Sequence, residues 1–357
     1  MKVKMPGKMP GKVPPKPGMA KGEAGSPSKA YASDQEIRWC PGCGDYSILK
    51  QVQFVLAEEK IPKEDIVFIS GIGCSSRFPY YLDTFGMHSI HGRATAIASG
   101  LRALRKDLNI WVVTGDGDGL SIGGNHLIHL LRRNFNLNVL LFNNEIYGLT
   151  KGQYSPTSPL GTVNKTAVWG TIDLPFNPLK LALGADATFI ARGLDVDPVL
   201  LRNILKRANK HNGTSLVEIY QNCNVFNDGA FSVFTDKATK KDNTIVVEHD
   251  TPLVFGAEND KGIILDGFTP RVVALKEVSK HDLWVHDEKD SLKATILSRF
   301  FDNPENNGFP RPLGVLYAIE RPTYEDQLYD QRKMAIDTLG KGNPYELFKG
   351  KNYWEIK

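Results

Sequence analysis

The chain has 357 residues, 41% of them hydrophobic, enough for one large or two modest domains around a sizeable core. Its formal net charge of +4 is uneven: residues 1–30 hold seven lysines and one acid, so the remainder is slightly acidic, which does not argue for a nucleic-acid-binding body. Four cysteines are too few for a disulfide scaffold at this length, and no apolar run approaches the span of a bilayer.

Residues 1–30 repeat Met-Pro-Gly-Lys and offer nothing that packs, so a disordered arm is expected there. This basic stretch has no apolar core behind it, so it is no secretory signal. Helical periodicity runs over Asp45–Glu59, and Ile66–Ser70 is a short apolar strand leading into Gly71-Ile72-Gly73-Cys74. Ala94–Arg105 reads as a helix. Asn109–Thr114 is a strand closed by Gly115-Asp116-Gly117, Ile122–Arg133 a helix, and Leu137–Phe142 a strand closed by Asn143-Asn144. Residues 145–175 form a connection rich in Gly, Thr, Ser and Pro, of a length that is usually functional. Ala187–Ala191 and Ser215–Tyr220 follow as strands, with the helix Pro198–His211 between them. Beyond Cys223 the pattern weakens. Thr244–Glu248 and Arg271–Ala274 are short strand candidates, and residues 300–357 read as an extended tail wrapping a partner subunit. Strands alternating with helices predict an α/β fold, a parallel sheet with helices on both faces, whose doubly covered strands explain the unbroken apolar runs. The expected organisation is an arm (1–30), a cofactor-binding domain (31–230) and a C-terminal extension contacting a partner (231–357).

Two strand-end motifs carry chemistry. In a parallel sheet, residues just past consecutive strands emerge at one edge, and the 25 residues between Gly117 and Asn143 leave room for a single crossover helix. Asp116 and Asn144 can therefore converge. A carboxylate, an amide oxygen and the backbone carbonyl of Ile146 suit a hard divalent cation that neutralises a diphosphate. The glycines allow close backbone approach, and the helix expected after Gly119 turns its N-terminus to the anion. Gly-Asp-Gly alone mostly marks a turn. Paired with Asn-Asn at this distance, it resembles the thiamine-diphosphate motif. A nicotinamide fingerprint fails because Leu120 stands where its third glycine is required.

Cys40-Pro-Gly-Cys43 is a tight two-ligand loop, while Cys74 and Cys223 each follow a strand. Four thiolates fit a structural zinc or a 4Fe–4S cluster, and the spacing of one pair plus two single cysteines leaves both open. A redox centre beside a carbanion-forming cofactor has a purpose, which favours the cluster. Ligating cysteines also fit a reducing cytoplasm.

With these residues in view, the sequence resembles the β subunits of the 2-oxoacid:ferredoxin oxidoreductases, most like those acting on 2-oxoglutarate. The likeness rests on Trp39-Cys40-Pro41-Gly42-Cys43-Gly44, Gly71-Ile72-Gly73-Cys74-Ser75-Ser76, His91-Gly92-Arg93-Ala94, Gly115-Asp116-Gly117-Asp118, the run Asn143–Gln153, and Cys223. It covers about residues 36–230, with a weaker echo at 321–326. The resemblance implies thiamine diphosphate, Mg2+ and one 4Fe–4S cluster. The cluster ligands would be Cys40, Cys43, Cys74 and Cys223, and the magnesium ligands Asp116, Asn144 and Ile146. Cofactor contacts would come from Ile72, Gly73, Cys74, Ser75, Gly117, Asp118, Gly148 and Leu149. His91 and Arg77 become candidate catalytic residues, Arg77 toward a substrate carboxylate. The other histidines spaced three apart, His88, His126 and His129, read as helix packing and capping.

The implied reaction is CoA-dependent oxidative decarboxylation of 2-oxoglutarate to succinyl-CoA with electrons passed to ferredoxin, a reaction that also runs in reverse. The activating carboxylate would come from an α subunit, in a heterodimer or a dimer of heterodimers, and no nucleic-acid or membrane partner is expected. The rivals are a pyruvate-specific enzyme, a cluster-binding electron-transfer module without thiamine chemistry, and a zinc-stabilised decarboxylase.

Overall fold

The computed structural model describes residues 27–300, 308–354 and 356. The arm expected at 1–30 therefore lies largely outside the described residues. Its last four residues are not an arm: Pro27–Tyr31 makes a 3-10 turn, with Ser28 and Tyr31 buried and Ser28 Oγ receiving Lys50 Nζ at 2.6 Å.

Helix α1 (Asp45–Glu59) leads into strand β1 (Ile66–Ser70), and a 3-10 segment (Ser75–Tyr81) connects to β2 (Phe85–His88). Then come α2 (Ala94–Leu104), β3 (Asn109–Gly115), a short α3 (Asp116–Leu120), α4 (Gly124–Arg133) and β4 (Leu137–Asn143). A small hairpin, β5 (Ile146–Tyr147) and β6 (Gln153–Tyr154), precedes the long connection to α5 (Pro178–Gly184) and β7 (Phe189–Leu194). Helix α6 (Pro198–Lys210) starts at an Asp197 side chain that caps Leu200 N, with Pro198 in its first turn, and β8 (Thr214–Tyr220) follows. The remaining elements are α7 (Ser232–Thr235), α8 (Lys240–Asn243), β9 (Thr244–Val247), β10 (Val254–Phe255), β11 (Lys261–Asp266), β12 (Thr269–Ala274), α9 (Ser291–Ser298), β13 (Arg311–Ala318), α10 (Tyr324–Leu339) and α11 (Pro344–Lys349).

Among the described residues, eight strands form the main sheet in the order β2-β1-β3-β4-β8-β7-β13-β9. The first six are mutually parallel; β13 runs antiparallel to β7 and parallel to β9. Strands β10, β11 and β12 make a separate antiparallel sheet. The main sheet is covered on both faces, as its apolar runs require. Along β4, Val139 and Leu141 pack with α2, α4 and α5, while Leu140 and Phe142 pack with α1 and α6. Each such fully buried side chain stabilises the fold by roughly 1.5–3 kcal/mol.

The parallel α/β architecture agrees with the sequence reading. Three details do not. The helix expected after Gly119 begins at Asp116 itself, as the single turn α3, and the chain restarts at α4 after Gly123. His88 closes strand β2 rather than sitting on a helix. The segment 300–357 is no simple tail: β13, with five consecutive buried residues, inserts between β7 and β9, and β9 also joins the main sheet. A boundary at residue 230 therefore cuts through the sheet. Among the described residues no helix is long and apolar enough to cross a membrane.

Candidate active site

Six parallel strands deliver their following residues to one edge. His91 comes after β2, Ile72 to Ser75 after β1, Asp116 to Asp118 after β3, Asn144 to Ile146 after β4, Gln221 to Cys223 after β8, and Asp195 after β7. The crossovers from β1 and β3 leave in opposite directions, so the crevice between these two strands is the topological switch point where ligands bind in such sheets.

Asp116 and Asn144 stand at the ends of neighbouring strands, with Gly115 in register with Phe142. Asp116 is 2% exposed, and its Oδ2 accepts hydrogen bonds from Ser155 Oγ and Thr157 Oγ1, each at 2.5 Å. Burial pushes its carboxyl up from the usual range, and the two hydroxyls pull it back. Thr157 Oγ1 also lies 3.0 Å from Asn143 Oδ1. Asn143 Nδ2 donates to Glu218 Oε1 at 2.8 Å, and Glu218 Oε2 pairs with Arg192 Nε at 2.6 Å, wholly buried. Asn144 is held on both sides: Oδ1 accepts from Ile146 N at 3.2 Å, and Nδ2 donates to Gln221 Oε1 at 2.8 Å. Between them, Asp116, Asn144 and the Ile146 backbone present oxygen donors only, which fits Mg2+. Gly117 is required by close packing, since a Cβ there would lie 2.3 Å from the Tyr147 ring, whose hydroxyl donates to Gly117 O at 2.9 Å.

Asp118 directs its carboxylate within the chain. Oδ1 accepts from Ile72 N (3.1 Å) and Gly92 N (2.7 Å) and lies 2.5 Å from His91 Nδ1, while Oδ2 accepts from Thr114 Oγ1 at 2.7 Å. It thus fastens the loops after β1, β2 and β3 to one another. The His91 ring, oriented through Nδ1, stands edge-on to Tyr147 with centroids 6.3 Å apart. Arg77 Nη1 donates to Arg38 O at 2.7 Å, beside the cysteine loop. Leu149 is exposed, whereas Ser75 is buried.

The cysteines gather at the same edge. A Cβ on Gly148 would meet Cys223 Sγ at 3.4 Å and Cys74 Sγ at 3.8 Å, so these two sulfurs flank one backbone position. Cys43 N donates to Cys40 O at 3.1 Å, closing the Cys40–Cys43 turn. Gly44 N donates to Asn222 O (3.2 Å) and Asn224 Nδ2 to Pro41 O (2.6 Å), tying that turn to the loop of Cys223. Trp39 Nε1 donates to Cys74 O at 2.7 Å. Burial pushes the Cys43 thiol up, and Asp45, Cys223 and Cys74 add to it; burial likewise raises Cys74 to about 11, helped by Asp45, Cys223 and Cys40. All four cysteines are unpaired. Among the described residues, no group of three or more His, Cys, Asp or Glu stands at single-ion spacing.

Ser155, Thr157 and Gln221 escape a sequence reading. The hydroxyls reach Asp116 from 39 and 41 residues away, and their only signal is the Ser/Thr/Pro-rich composition of the long connection. Gln221 stands one residue past β8, where strand-end position was the available clue.

The family description "Thiamine pyrophosphate enzyme, C-terminal TPP binding domain" matches residues 71–219. The chain is 50% identical over 332 residues to "2-oxoglutarate oxidoreductase subunit KorB" of Mycobacterium tuberculosis, covering 92% of this chain and 88% of that one. It is 42% identical over 198 residues to "2-oxoacid:ferredoxin oxidoreductase 2, subunit beta" of Aeropyrum pernix, covering 56% and 64%. The fold superposes with a TM-score of 0.72 and 34% identity on a solved "2-oxoglutarate:ferredoxin oxidoreductase from Magnetococcus marinus with 2-oxoglutarate, coenzyme A and succinyl-CoA bound", over 91% of this chain and 95% of that one. A sheet edge that carries a thiamine-enzyme domain and four converging cysteines, in a chain half identical to such a subunit along nearly its whole length, belongs to the β subunits of the 2-oxoacid:ferredoxin oxidoreductases.

Proposed function

We propose that this chain is the β subunit of a 2-oxoglutarate:ferredoxin oxidoreductase. It would act with an α subunit in CoA-dependent oxidative decarboxylation of 2-oxoglutarate to succinyl-CoA and carbon dioxide, two electrons leaving singly to ferredoxin. The observation that carries the reading is the meeting, on one sheet edge, of the oxygen donors Asp116 and Asn144 with Cys40, Cys43, Cys74 and Cys223. The KorB name and the ligands of the Magnetococcus structure support the choice of substrate.

When bound, thiamine diphosphate supplies the electron sink for decarboxylation, and a 4Fe–4S cluster supplies the electron exit. Asp116, Asn144 and the Ile146 carbonyl would hold Mg2+ against the diphosphate, with Gly117 giving the backbone room. The four cysteines would hold the cluster. Ile72 to Ser75, Gly148 and Leu149 would contact the thiamine cofactor, and Asp118 would act through the loops it fastens. His91, fixed at Nδ1, keeps Nε2 for proton handling in the cleft, and Arg77 can meet a substrate carboxylate by exchanging its bond to Arg38. Residues past 339 add a contact for the α subunit, which also brings the activating carboxylate. The clustered thiols suit a reducing cytoplasm.

The test is the content of anaerobically purified α–β complex. Four irons, one magnesium and one thiamine diphosphate per β chain are expected, together with faster turnover of 2-oxoglutarate than of pyruvate. Zinc in place of iron, or no thiamine diphosphate, refutes the cofactor reading. A preference for pyruvate above about tenfold, roughly 1.4 kcal/mol in transition-state binding, refutes the substrate.

A further inference from the structure

We infer that Gln221 couples the two halves of the site, by donating a hydrogen bond to a cluster-ligating sulfur while fixing the amide of a magnesium ligand. The side chain is 1% exposed and spans the gap between the motifs. Its Nε2 lies 3.3 Å from Cys43 Sγ, within N–H···S range, and 2.5 Å from Asn222 O. Its Oε1 accepts from Asn144 Nδ2 at 2.8 Å. One N–H faces sulfur, the other a carbonyl, and the oxygen faces Asn144, so the buried amide uses its hydrogen-bonding capacity with none left over on the donor side. Its backbone N donates to Asn143 O at 2.9 Å, holding the residue at the mouth of the β4–β8 pair.

Each bond has a separate consequence. A hydrogen bond to a ligating sulfur draws charge from the thiolate and stabilises the more negative, reduced cluster, so it raises the reduction potential. The bond from Asn144 fixes the amide with Oδ1 turned toward Ile146 N, 3.2 Å away. Partners that orient a ligand in this way are worth about 10- to 100-fold in metal affinity. Gln221 touches no reacting atom on this geometry; it is a positioning residue for both centres. One side chain thus links them: Cys43 Sγ, the Gln221 amide, Asn144.

The inference rests on the proposed cofactors, and the experiment separates the two. In the assembled α–β complex, Gln221→Met keeps the length and removes all three side-chain hydrogen bonds, whereas Gln221→Glu keeps an oxygen for Asn144 and removes the N–H to sulfur. Redox titration followed by electron paramagnetic resonance should move the cluster midpoint to more negative potential in both variants. The Mg2+ dissociation constant at saturating thiamine diphosphate should rise roughly tenfold in Gln221→Met and stay near the parent value in Gln221→Glu. An unchanged midpoint in both variants, with iron content retained, overturns the role at sulfur. An unchanged Mg2+ affinity in Gln221→Met overturns the role at Asn144. A parent complex that holds no iron–sulfur signal refutes the underlying cofactor reading instead.

Discussion

The Arg192–Glu218 pair sets up a test of how the interior supports the site. Both side chains are 1% exposed, Nε and Oε2 stand 2.6 Å apart, and the guanidinium also lies 5.2 Å above the Tyr220 ring. Arg192→Met removes the positive charge while keeping most of the volume, and takes from the buried Glu218 carboxylate its ion-pair partner, leaving the hydrogen bond from Asn143 Nδ2. Breaking a buried pair from one side costs about 3–5 kcal/mol, because the remaining charge is uncompensated. At roughly 2 °C per kcal/mol for a chain of this size, the β-subunit transition should fall by about 6–10 °C in calorimetry of the α–β complex. Glu218→Gln keeps an oxygen for Asn143 and should also be damaging, since it removes the carboxylate charge that faces the buried Arg192 guanidinium. The double variant Arg192→Met/Glu218→Gln should melt above the sum of the two losses, because no charge is then stranded. A shift under about 2 °C for Arg192→Met, or strict additivity, would refute the reasoning.

Four further outcomes follow from the geometry. Thr157→Val removes a hydroxyl that holds Asp116, so the Mg2+ dissociation constant should rise at least tenfold by calorimetric titration with thiamine diphosphate present, and Thr157→Ser should restore it. Gly148→Val pushes branched carbon between Cys223 and Cys74 and should lower iron per chain, whereas Gly148→Ala, in ordinary contact with both sulfurs, should retain it. Burial holds His211 down at about pKa 4, so it is neutral when folded and protonated when unfolded between pH 4 and 6.5; stability should fall as pH drops through that window, and His211→Asn should flatten the slope in denaturant titrations. Removing residues 340–357, which expose Leu347, Phe348 and Trp354, should weaken recovery of the α subunit in co-purification while the β chain still folds.

What could be read from the sequence was local. Strands β3 and β4 are apolar runs closed by Gly-Asp-Gly and Asn-Asn, so their ends, and the meeting of Asp116 with Asn144, follow from strand order and crossover length. The placing of Cys74 and Cys223 at that same edge was legible for the same reason. Strand β13 was not, because Arg311-Pro312-Leu313-Gly314 has a proline as its second residue and carries a glycine at φ +106, and its partners Ala191 and Val247 are remote in sequence. Gly314 is required there, since a Cβ would sit 2.6 Å from Val247 O. Strand β2 was hidden differently: Phe85, Gly86 and Met87 are exposed on the sheet edge and carry no core pattern. Without β2, His91 was drawn toward the cofactor motifs by the resemblance and not by strand order. Ser155, Thr157 and Gln221 act across distance, and a hydroxyl or amide in a loop has no periodicity to betray it.

The placement of β13 has a consequence for how the molecule is made. Strand β13 is an interior one, flanked by β7 and β9, which end at residues 194 and 247 and so leave the ribosome well before it. Until residue 318 has emerged, the nascent chain carries two unpaired strand edges and an unfilled slot beside β7. Domains otherwise fold as units while translation proceeds, and open edges invite mispairing. This subunit must hold its cofactor edge together through that interval, and a chain stopped short of residue 311 would be released with the slot still open.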